Sequence, residues 1–240
     1  MIGKTRRKAG RPAGERDTRT LILDIAEQQF ADRGYAGAST RDIARHASVT
    51  QSMISYYFGS KHKLFEAVFK RRGMALSERR MTLLEALRNR PGPPPTIEEL
   101  VRAYLTPQFE MKAGGAGELA FVRLQARLHN EPEELAFRLR REVYDHSTKR
   151  YIAEIEARLP HISAADLNWR MVFLIGAYLY MLSDVDRLHD LSDGRFRSDD
   201  IDELVARLSH FLAFGMQAPD TPFPLVLQRA EPGKPSDSSH

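Results

Sequence analysis

Residues 40–61 decide the fold, and they read Thr-Arg-Asp-Ile-Ala-Arg-His-Ala-Ser-Val-Thr-Gln-Ser-Met-Ile-Ser-Tyr-Tyr-Phe-Gly-Ser-Lys. Ser39 or Thr40 can cap a first short helix, and Thr50 can cap a second one after a tight turn. Small alanine side chains on the first helix let the two helices cross closely. The pattern predicts a helix-turn-helix, a motif whose second helix enters the major groove of DNA.

The charge distribution around this stretch also points to a polyanion. The first 72 residues hold 15 Lys and Arg against 7 Asp and Glu, a net charge of +8, whereas the remainder holds 21 against 25, a net charge of −4. A basic first third on an acidic remainder favours a nucleic-acid partner for the first third. The alternative at this point is a basic tail that only keeps the chain in solution.

Composition excludes several classes of protein. The chain has 240 residues, of which 42% are hydrophobic and 28% charged, as in ordinary globular proteins. It contains no cysteine, which excludes disulfide scaffolds, thiolate metal sites and cysteine nucleophiles. The longest apolar run, residues 171–182, is shorter than the roughly 20 residues of a membrane span. No two histidines stand four residues apart, as a helical zinc site requires. We therefore expect a cytoplasmic protein without metal or cofactor.

The rest of the chain has the apolar spacing of helices, and no stretch alternates like a strand. Further helices are predicted over 17–33, from residue 61, and over 97–111, 118–129, 133–159, 164–188 and 199–216. The fold class is therefore predicted to be all-α. We divide the chain into a basic disordered arm (1–16), a three-helix DNA-binding unit (17–62), a larger helical body (63–218) and a Pro/Ser-rich tail (219–240).

The N-terminal third resembles the DNA-binding domain of the TetR family of bacterial transcriptional regulators. The matching residues are Ala26, Phe30, Gly34 and Tyr35, the run 39–44, the run 47–50, the run 54–61, and Leu64. Two positions depart from the family pattern. Ser48 stands where the family usually has glycine, which suggests a strained turn, and Ser55 stands where the family often has an aromatic residue.

The resemblance implies two kinds of DNA contact. Phosphate contacts would come from Thr40, Tyr57 and Lys61, while Arg41 would either join them or stay solvated. The groove-facing residues would be Thr50, Gln51, Ser52, Met53, Ser55 and Tyr56. A glutamine amide can bond adenine with both its donor and its acceptor, so Gln51 is the strongest candidate for reading a base.

The resemblance also implies a C-terminal body that dimerises and encloses a ligand pocket. Aromatic residues of the body are the pocket candidates, although all of them could instead be core: Phe109, Phe121, Tyr144 and Tyr178. The last two long helices are the dimerisation candidates, with six residues proposed at the interface: Trp169, Phe173, Gly176, Leu204, Leu208 and Phe211. The alternative is that both helices are buried within one subunit. The region 168–177 and the end of the last helix are similar to a fatty-acid-responsive branch of the family.

These observations predict a transcriptional repressor rather than an enzyme. It would bind double-stranded operator DNA of near-palindromic sequence as a homodimer and be released by a small, largely apolar effector. One alternative is a regulator controlled by a protein partner without a small-molecule effector. Another is a helical enzyme with an accessory nucleic-acid-binding segment, but the sequence contains no catalytic constellation.

Overall fold

A computed structural model describes residues 13–128, 133–182 and 187–220. Within these ranges the chain forms helices and no strand, so the all-α prediction is confirmed. The helices are α1 (Ala13–Gly37), α2 (Thr40–His46), α3 (Gln51–Phe58), α4 (Lys61–Asn89), α5 (Ile97–Lys112), α6 (Ala116–Arg127), α7 (Glu133–Val143), α8 (Asp145–Glu156), α9 (Ala164–Leu182), α10 (Arg187–Leu191) and α11 (Ile201–Gln217).

The first helix starts earlier than the sequence predicted. Because α1 begins at Ala13, residues 13–16 of the predicted disordered arm are helical, and that part of the prediction is wrong. Residues 13–16 read Ala-Gly-Glu-Arg, and three of these four are good helix formers, although Gly14 is not. Residues 1–12 of the arm, and the tail from residue 221, lie outside the described residues.

Side-chain caps fix where the N-terminal helices begin. Each cap is a hydroxyl oxygen that accepts a hydrogen bond from the backbone N–H three residues later. The caps are Ser39 on Asp42 (3.0 Å), Thr50 on Met53 (3.3 Å), Ser60 on Lys63 (3.2 Å) and Thr96 on Glu99 (3.2 Å). Thr50 is a cap as predicted, and of the two alternatives Ser39 and Thr40 it is Ser39 that caps α2.

The helix predicted over 133–159 is broken in the structure. It divides at Tyr144 into α7 and α8, although the sequence there has neither glycine nor proline. The Tyr144 hydroxyl accepts a hydrogen bond from Gln125 Nε2 at 2.8 Å, and its ring meets that of Phe69 edge-on. Contacts with distant parts of the chain thus hold the residue at the break. Of the helix predicted over 164–188, α9 covers Ala164–Leu182, α10 begins at Arg187, and residues 183–186 lie outside the described residues.

Two apolar cores organise the molecule. The first joins α1, α2, α3 and the start of α4 to α6 and α7, and the second joins α5, α8, α9 and α11. Helix α4, with 29 residues and a length of about 43 Å, contributes to both. The proposed domain boundary at 62–63 therefore falls inside one continuous helix.

A cluster of ion pairs joins three helices of the first core. It consists of Glu27 on α1, Arg71 and Arg72 on α4, and Glu118 on α6, and is called the Glu27 cluster below. Glu27 is only 1% exposed and accepts from Arg71 Nη2 at 2.9 Å and from Arg72 Nε at 3.3 Å. Arg72 Nη1 also donates to Glu118 at 3.0 Å. Burial raises the pKa of Glu27 and outweighs the opposing attraction of the two arginines.

No helix in the described ranges combines the length and the apolar character needed to cross a bilayer.

Candidate nucleic-acid interface

A tight turn joins α2 to α3 and sets their crossing. Ala47 N donates to the Ile43 carbonyl at 2.9 Å, and Val49 N donates to the Ala44 carbonyl at 3.0 Å. Between them Ser48 has φ of 53°, in the left-handed region that favours glycine. The strain that the sequence suggested at this position is thus present in the backbone geometry.

We expect Ser48→Gly to raise the free energy of unfolding by about 0.5–1 kcal/mol. A side chain in the left-handed region costs about 1–2 kcal/mol, and the extra freedom of glycine in the unfolded chain offsets part of the gain. Urea unfolding of the variant and the parent chain measures the difference. Ser55→Gly, on the exposed side of α3, should instead destabilise the protein, because Ser55 is inside a helix. A loss of stability in Ser48→Gly would contradict the strain.

The outer side of α3 is open to solvent, as the sequence predicted. Ile54 and Phe58 point into the first core. Tyr56 is 72% exposed, and the remaining predicted groove-facing residues lie on the same open side. Thr50, Gln51, Ser52 and Ser55 are exposed, and Met53 is half-buried. The side of α3 that would face a groove therefore carries hydroxyl, amide, thioether and phenol groups but no charge.

Hydrogen bonds link the starts of α2 and α3. Gln51 Nε2 donates to Thr40 Oγ1 at 3.1 Å, so the candidate base-reading amide is bonded to a candidate phosphate ligand. Thr50 Oγ1 and Ser52 Oγ lie 2.8 Å apart. Arg41 is exposed on α2. Two separate hydrogen bonds thus hold four of the predicted contact residues in pairs in the free protein.

Tyr57 and Lys61 lie at the other end of α3. Tyr57 is half-buried, and its ring packs edge-on against Tyr56 with centroids 5.2 Å apart. Lys61 Nζ donates to the Ala36 carbonyl at 3.3 Å and lies 4.6 Å from the Tyr35 ring centroid. The ammonium group has three N–H donors, so the bond to the Ala36 carbonyl leaves two of them for other acceptors.

Sequence reasoning missed the role of Asp42 beside this surface. Its carboxylate lies 2.8 Å from Arg45 and 3.7 Å from Arg33, so it partly neutralises both arginines. The hydrogen bond from the Ser39 hydroxyl is the main cause that lowers the pKa of Asp42. The spacing of three residues between Asp42 and Arg45 on a helix was the available signal.

The four pocket candidates are packed inside the body. Phe109, Phe121 and Tyr178 are buried, and Tyr144 is half-buried. Phe109 and Tyr178 belong to the second core, whereas Phe121 and Tyr144 belong to the first. Phe109 also lines an open depression of about 450 Å³ between α5 and the start of α11. A ligand-contacting role for these residues stays a prediction.

The body contains a buried polar centre that the sequence analysis did not find. Arg80 of α4 is completely buried beside aromatic rings of α5 and α9, and its Cζ lies 3.8 Å from the Tyr104 ring centroid and 5.6 Å from that of Tyr178. Arg80 Nε donates to the Tyr104 carbonyl at 2.9 Å. Nearby, Gln108 Nε2 donates to Gln125 Oε1 at 2.6 Å.

The dimerisation candidates on α9 and α11 form an exposed apolar face. Trp169 and Phe173 are 61% and 63% exposed and stack on each other, and Phe211 is 73% exposed. Gly176 is exposed, while Leu204 and Leu208 are half-buried. We call these six residues the α9–α11 face. Further large apolar side chains are exposed on the same two helices: Val172, Tyr180 and Phe214.

An arginine holds the two helices of this face together. Arg170 of α9 donates from Nη1 to the carbonyls of Met216 and Ala218, at 2.8 and 2.6 Å, at the end of α11. Its guanidinium also pairs with Asp166. A cation at a helix C-terminus stabilises the carbonyls that have no partner within the helix. The guanidinium therefore fixes the end of α11 against α9.

Family models match both parts of the chain. The model described as "Bacterial regulatory proteins, tetR family" matches residues 22–68, which include α2 and α3. The model described as "Tetracyclin repressor-like, C-terminal domain" matches residues 102–215, most of the helical body.

Individual relatives are named as helix-turn-helix transcriptional regulators as well. The HTH-type transcriptional repressor Rv3405c of Mycobacterium tuberculosis is 28% identical over 204 residues, covering 82% of this chain and 92% of that protein. The HTH-type transcriptional repressor NicS of Pseudomonas putida is 42% identical over 65 residues, covering 27% of this chain and 31% of that protein.

Solved structures share the fold. HlyIIR, a hemolysin II transcriptional regulator, superimposes with a TM-score of 0.58 at 21% identity, covering 83% of this chain and 98% of that chain. The regulator FadR from Bacillus subtilis, in complex with stearoyl-CoA, gives a TM-score of 0.56 at 19% identity, covering 82% and 98%. With the family models on both parts of the sequence, these likenesses establish that the chain belongs to the TetR family of DNA-binding transcriptional regulators.

Proposed function

We propose that the protein is a homodimeric repressor that binds a near-palindromic operator and is released by a small-molecule effector. The observation that carries the proposal is the open, uncharged polar side of α3 beside the start of α2. Uncharged polar side chains on such a surface can form hydrogen bonds with base edges in the major groove, whereas cationic ones would also pair with the phosphates. The repressors among its relatives support the direction of regulation.

Two groups of side chains would contact different parts of the DNA. Gln51 and its exposed neighbours on α3 would contact base edges, whereas Thr40, Tyr57 and Lys61 would contact phosphates. Thr40 stands at the start of α2, where free backbone N–H groups and the helix dipole favour an anion. The Gln51–Thr40 hydrogen bond would then be exchanged for one bond to a base and one to a phosphate.

We expect Gln51→Ala and Tyr57→Phe to fail in different ways. Loss of a base-reading amide should cost about 1–3 kcal/mol on the specific site and relax the sequence preference. Loss of the Tyr57 hydroxyl should weaken binding to all sequences alike. Fluorescence anisotropy on an operator fragment and on scrambled DNA of the same length measures both effects. An equal loss of specificity in the two variants would contradict the assigned roles.

The proposed dimer rests on the α9–α11 face. An exposed apolar patch of this kind is typical of a protein–protein interface, and a two-fold arrangement would bury it in a four-helix bundle. Two recognition helices related by that axis would read a palindrome, which supplies the specificity that one short helix lacks.

Genome-wide mapping of DNA bound by the full chain tests the proposal directly. We expect a small number of enriched sites that share an inverted repeat, with half-sites about one helical turn apart. Native mass spectrometry of the purified protein tests the effector separately, through a retained small molecule. Binding spread evenly over the genome would contradict sequence-specific regulation. Stable capture of a protein in place of a small molecule would favour control by a protein partner.

A further inference from the structure

The buried guanidinium of Arg80 has no charge partner. Three charged side chains are buried among the described residues: Glu27, Arg80 and Arg170. Glu27 pairs with Arg71 and Arg72, and Arg170 pairs with Asp166. Arg80 makes no ion pair with any described residue, and its buried terminal nitrogens, Nη1 and Nη2, have no acceptor there in good hydrogen-bond geometry. The Tyr178 hydroxyl is a polar side-chain group that acts on the guanidinium. Such a group is costly, because the loss of hydration of a buried charge is repaid only by an opposite charge and by hydrogen bonds.

The surroundings of Arg80 cannot supply the missing charge. Its neighbours are phenols, and burial raises the pKa of Tyr104 to about 12 and that of Tyr144 well above its usual value. Both phenols are therefore neutral at physiological pH. The hydroxyl of Tyr104 is already bonded to Thr148 Oγ1 at 3.0 Å, and that of Tyr151 donates to the Arg80 carbonyl at 2.8 Å.

A second unpartnered group lies on the neighbouring helix. Gln108 Oε1 is buried and accepts no hydrogen bond from a described residue. Gln108 stands one helical turn after Tyr104 on α5, so both side chains lie on the same side of that helix. The same part of the body thus offers the two terminal nitrogens of a guanidinium that lies against aromatic rings, and one free amide oxygen.

We propose that Arg80 anchors the effector of this regulator, and that the effector is a small organic monocarboxylate. Two parallel N–H groups of one guanidinium match the two oxygens of a carboxylate. A single buried positive charge is balanced by one negative charge, which favours a carboxylate over a doubly charged phosphate. The rings of Tyr104 and Tyr178 would pack on the apolar part of the ligand, and Gln108 Oε1 would accept from a hydroxyl or N–H group on it. This assignment deepens the proposed function, on which it rests.

Thermal unfolding of the full chain in the presence of defined carboxylates tests the site. The probes are benzoate, 4-hydroxybenzoate and octanoate, with benzamide and octanamide as neutral counterparts and inorganic phosphate as the dianion. We expect at least one carboxylate to raise the melting temperature by about 5–10 °C at roughly 100 times its Kd. The amides and phosphate should have no effect. The absence of a shift with all three carboxylates, or an equal shift with the amides, would overturn the assignment.

Variants of Arg80 separate a ligand anchor from a structural residue. Arg80→Met should abolish the carboxylate effect, and its melting temperature without ligand should equal or exceed that of the parent chain, since an unpaired buried charge is removed. Arg80→Lys keeps the charge but loses the planar pair of donors, so the Kd for the carboxylate should rise at least tenfold. Arg79→Met is the matched control, because the neighbouring Arg79 is exposed and pairs with Glu110. A carboxylate shift that survives in Arg80→Lys unchanged would overturn the proposal, even if Arg80→Met failed to fold.

DNA binding distinguishes failure of this site from failure of the proposed function. If both hold, the active carboxylate releases the parent chain and Arg79→Met from an operator fragment, while Arg80→Lys stays bound at the same concentration. If the parent chain binds its operator but no carboxylate stabilises or releases it, the proposed role of Arg80 is wrong and the proposed repressor function is supported. If a carboxylate stabilises the protein through Arg80 but no specific DNA site exists, Arg80 is a carboxylate ligand and the proposed repressor function is wrong.

Discussion

Replacement of Leu208 and Phe211 by glutamate is expected to give a helical monomer whose affinity for operator DNA is at least about 100-fold lower. The physical reason is that two linked half-site contacts bind far more tightly than either contact alone, by a factor of about 10²–10⁴. The charges would fall on the apolar α9–α11 face, where neither could be solvated in a dimer. Sedimentation at micromolar concentration measures the oligomeric state, and anisotropy on an operator fragment measures the affinity.

A second pair of substitutions tests the dimer without disturbing the packing of the second core. Leu208 is half-buried and packs partly on the second core, so its replacement also affects the subunit itself. Trp169→Glu with Phe173→Glu changes only side chains that are more than half exposed, and we expect the same monomer. Phe137→Glu is the control, since Phe137 is equally exposed but lies on α7. A parent chain that sediments as a monomer would refute this account of the body.

A large loss of stability from one polar substitution is expected for Glu27→Ala. Removal of the nearly fully buried carboxylate leaves Arg71 and Arg72 short of a partner at the junction of α1, α4 and α6. We expect the free energy of unfolding to fall by about 3 kcal/mol, as when one member of a buried ion pair is removed. Urea unfolding followed by circular dichroism measures the change.

Asp24→Ala is the matched control for the Glu27 cluster. Asp24 is one turn earlier on α1 and also pairs with Arg71, at 2.6 Å, but it is half exposed. Exposed pairs contribute about 0–1 kcal/mol, so this variant should unfold close to the parent chain. Similar losses in the two variants would show that burial of Glu27 adds nothing to the pairing.

Local rules explain what the sequence predicted well. Ser39 and Thr50 could be predicted as caps because a cap depends only on a side chain and the backbone three residues away. The outward side of α3 followed from the helical period and the neighbouring apolar positions, so its exposure was predictable as well.

Long-range contacts explain what the sequence could not predict. The break at Tyr144 has no local cause, because the bond from Gln125 comes from another helix. The burial of Arg80 could have been predicted from its position in the helix. Arg80 occupies the same stripe of α4 as Phe69, Gly73, Leu76 and Leu84, a stripe that is otherwise buried and uncharged. A lone charge in an apolar stripe indicates burial, but its missing partner becomes visible only when the surrounding helices are assembled.

The first core also bears on how this regulator could be rebuilt. A chimeric regulator could be made by joining these DNA-binding helices to another body at the presumed domain boundary. In this chain the apolar contacts of α1 continue into α6 and those of α4 into α7, so the DNA-binding helices share one apolar core with the helical body. A chimera cut at residue 62 would separate Ile22, Ala26 and Phe30 from part of the surface that covers them. A transfer of these DNA-binding helices to the body of another regulator would therefore have to include the matching faces of α6 and α7.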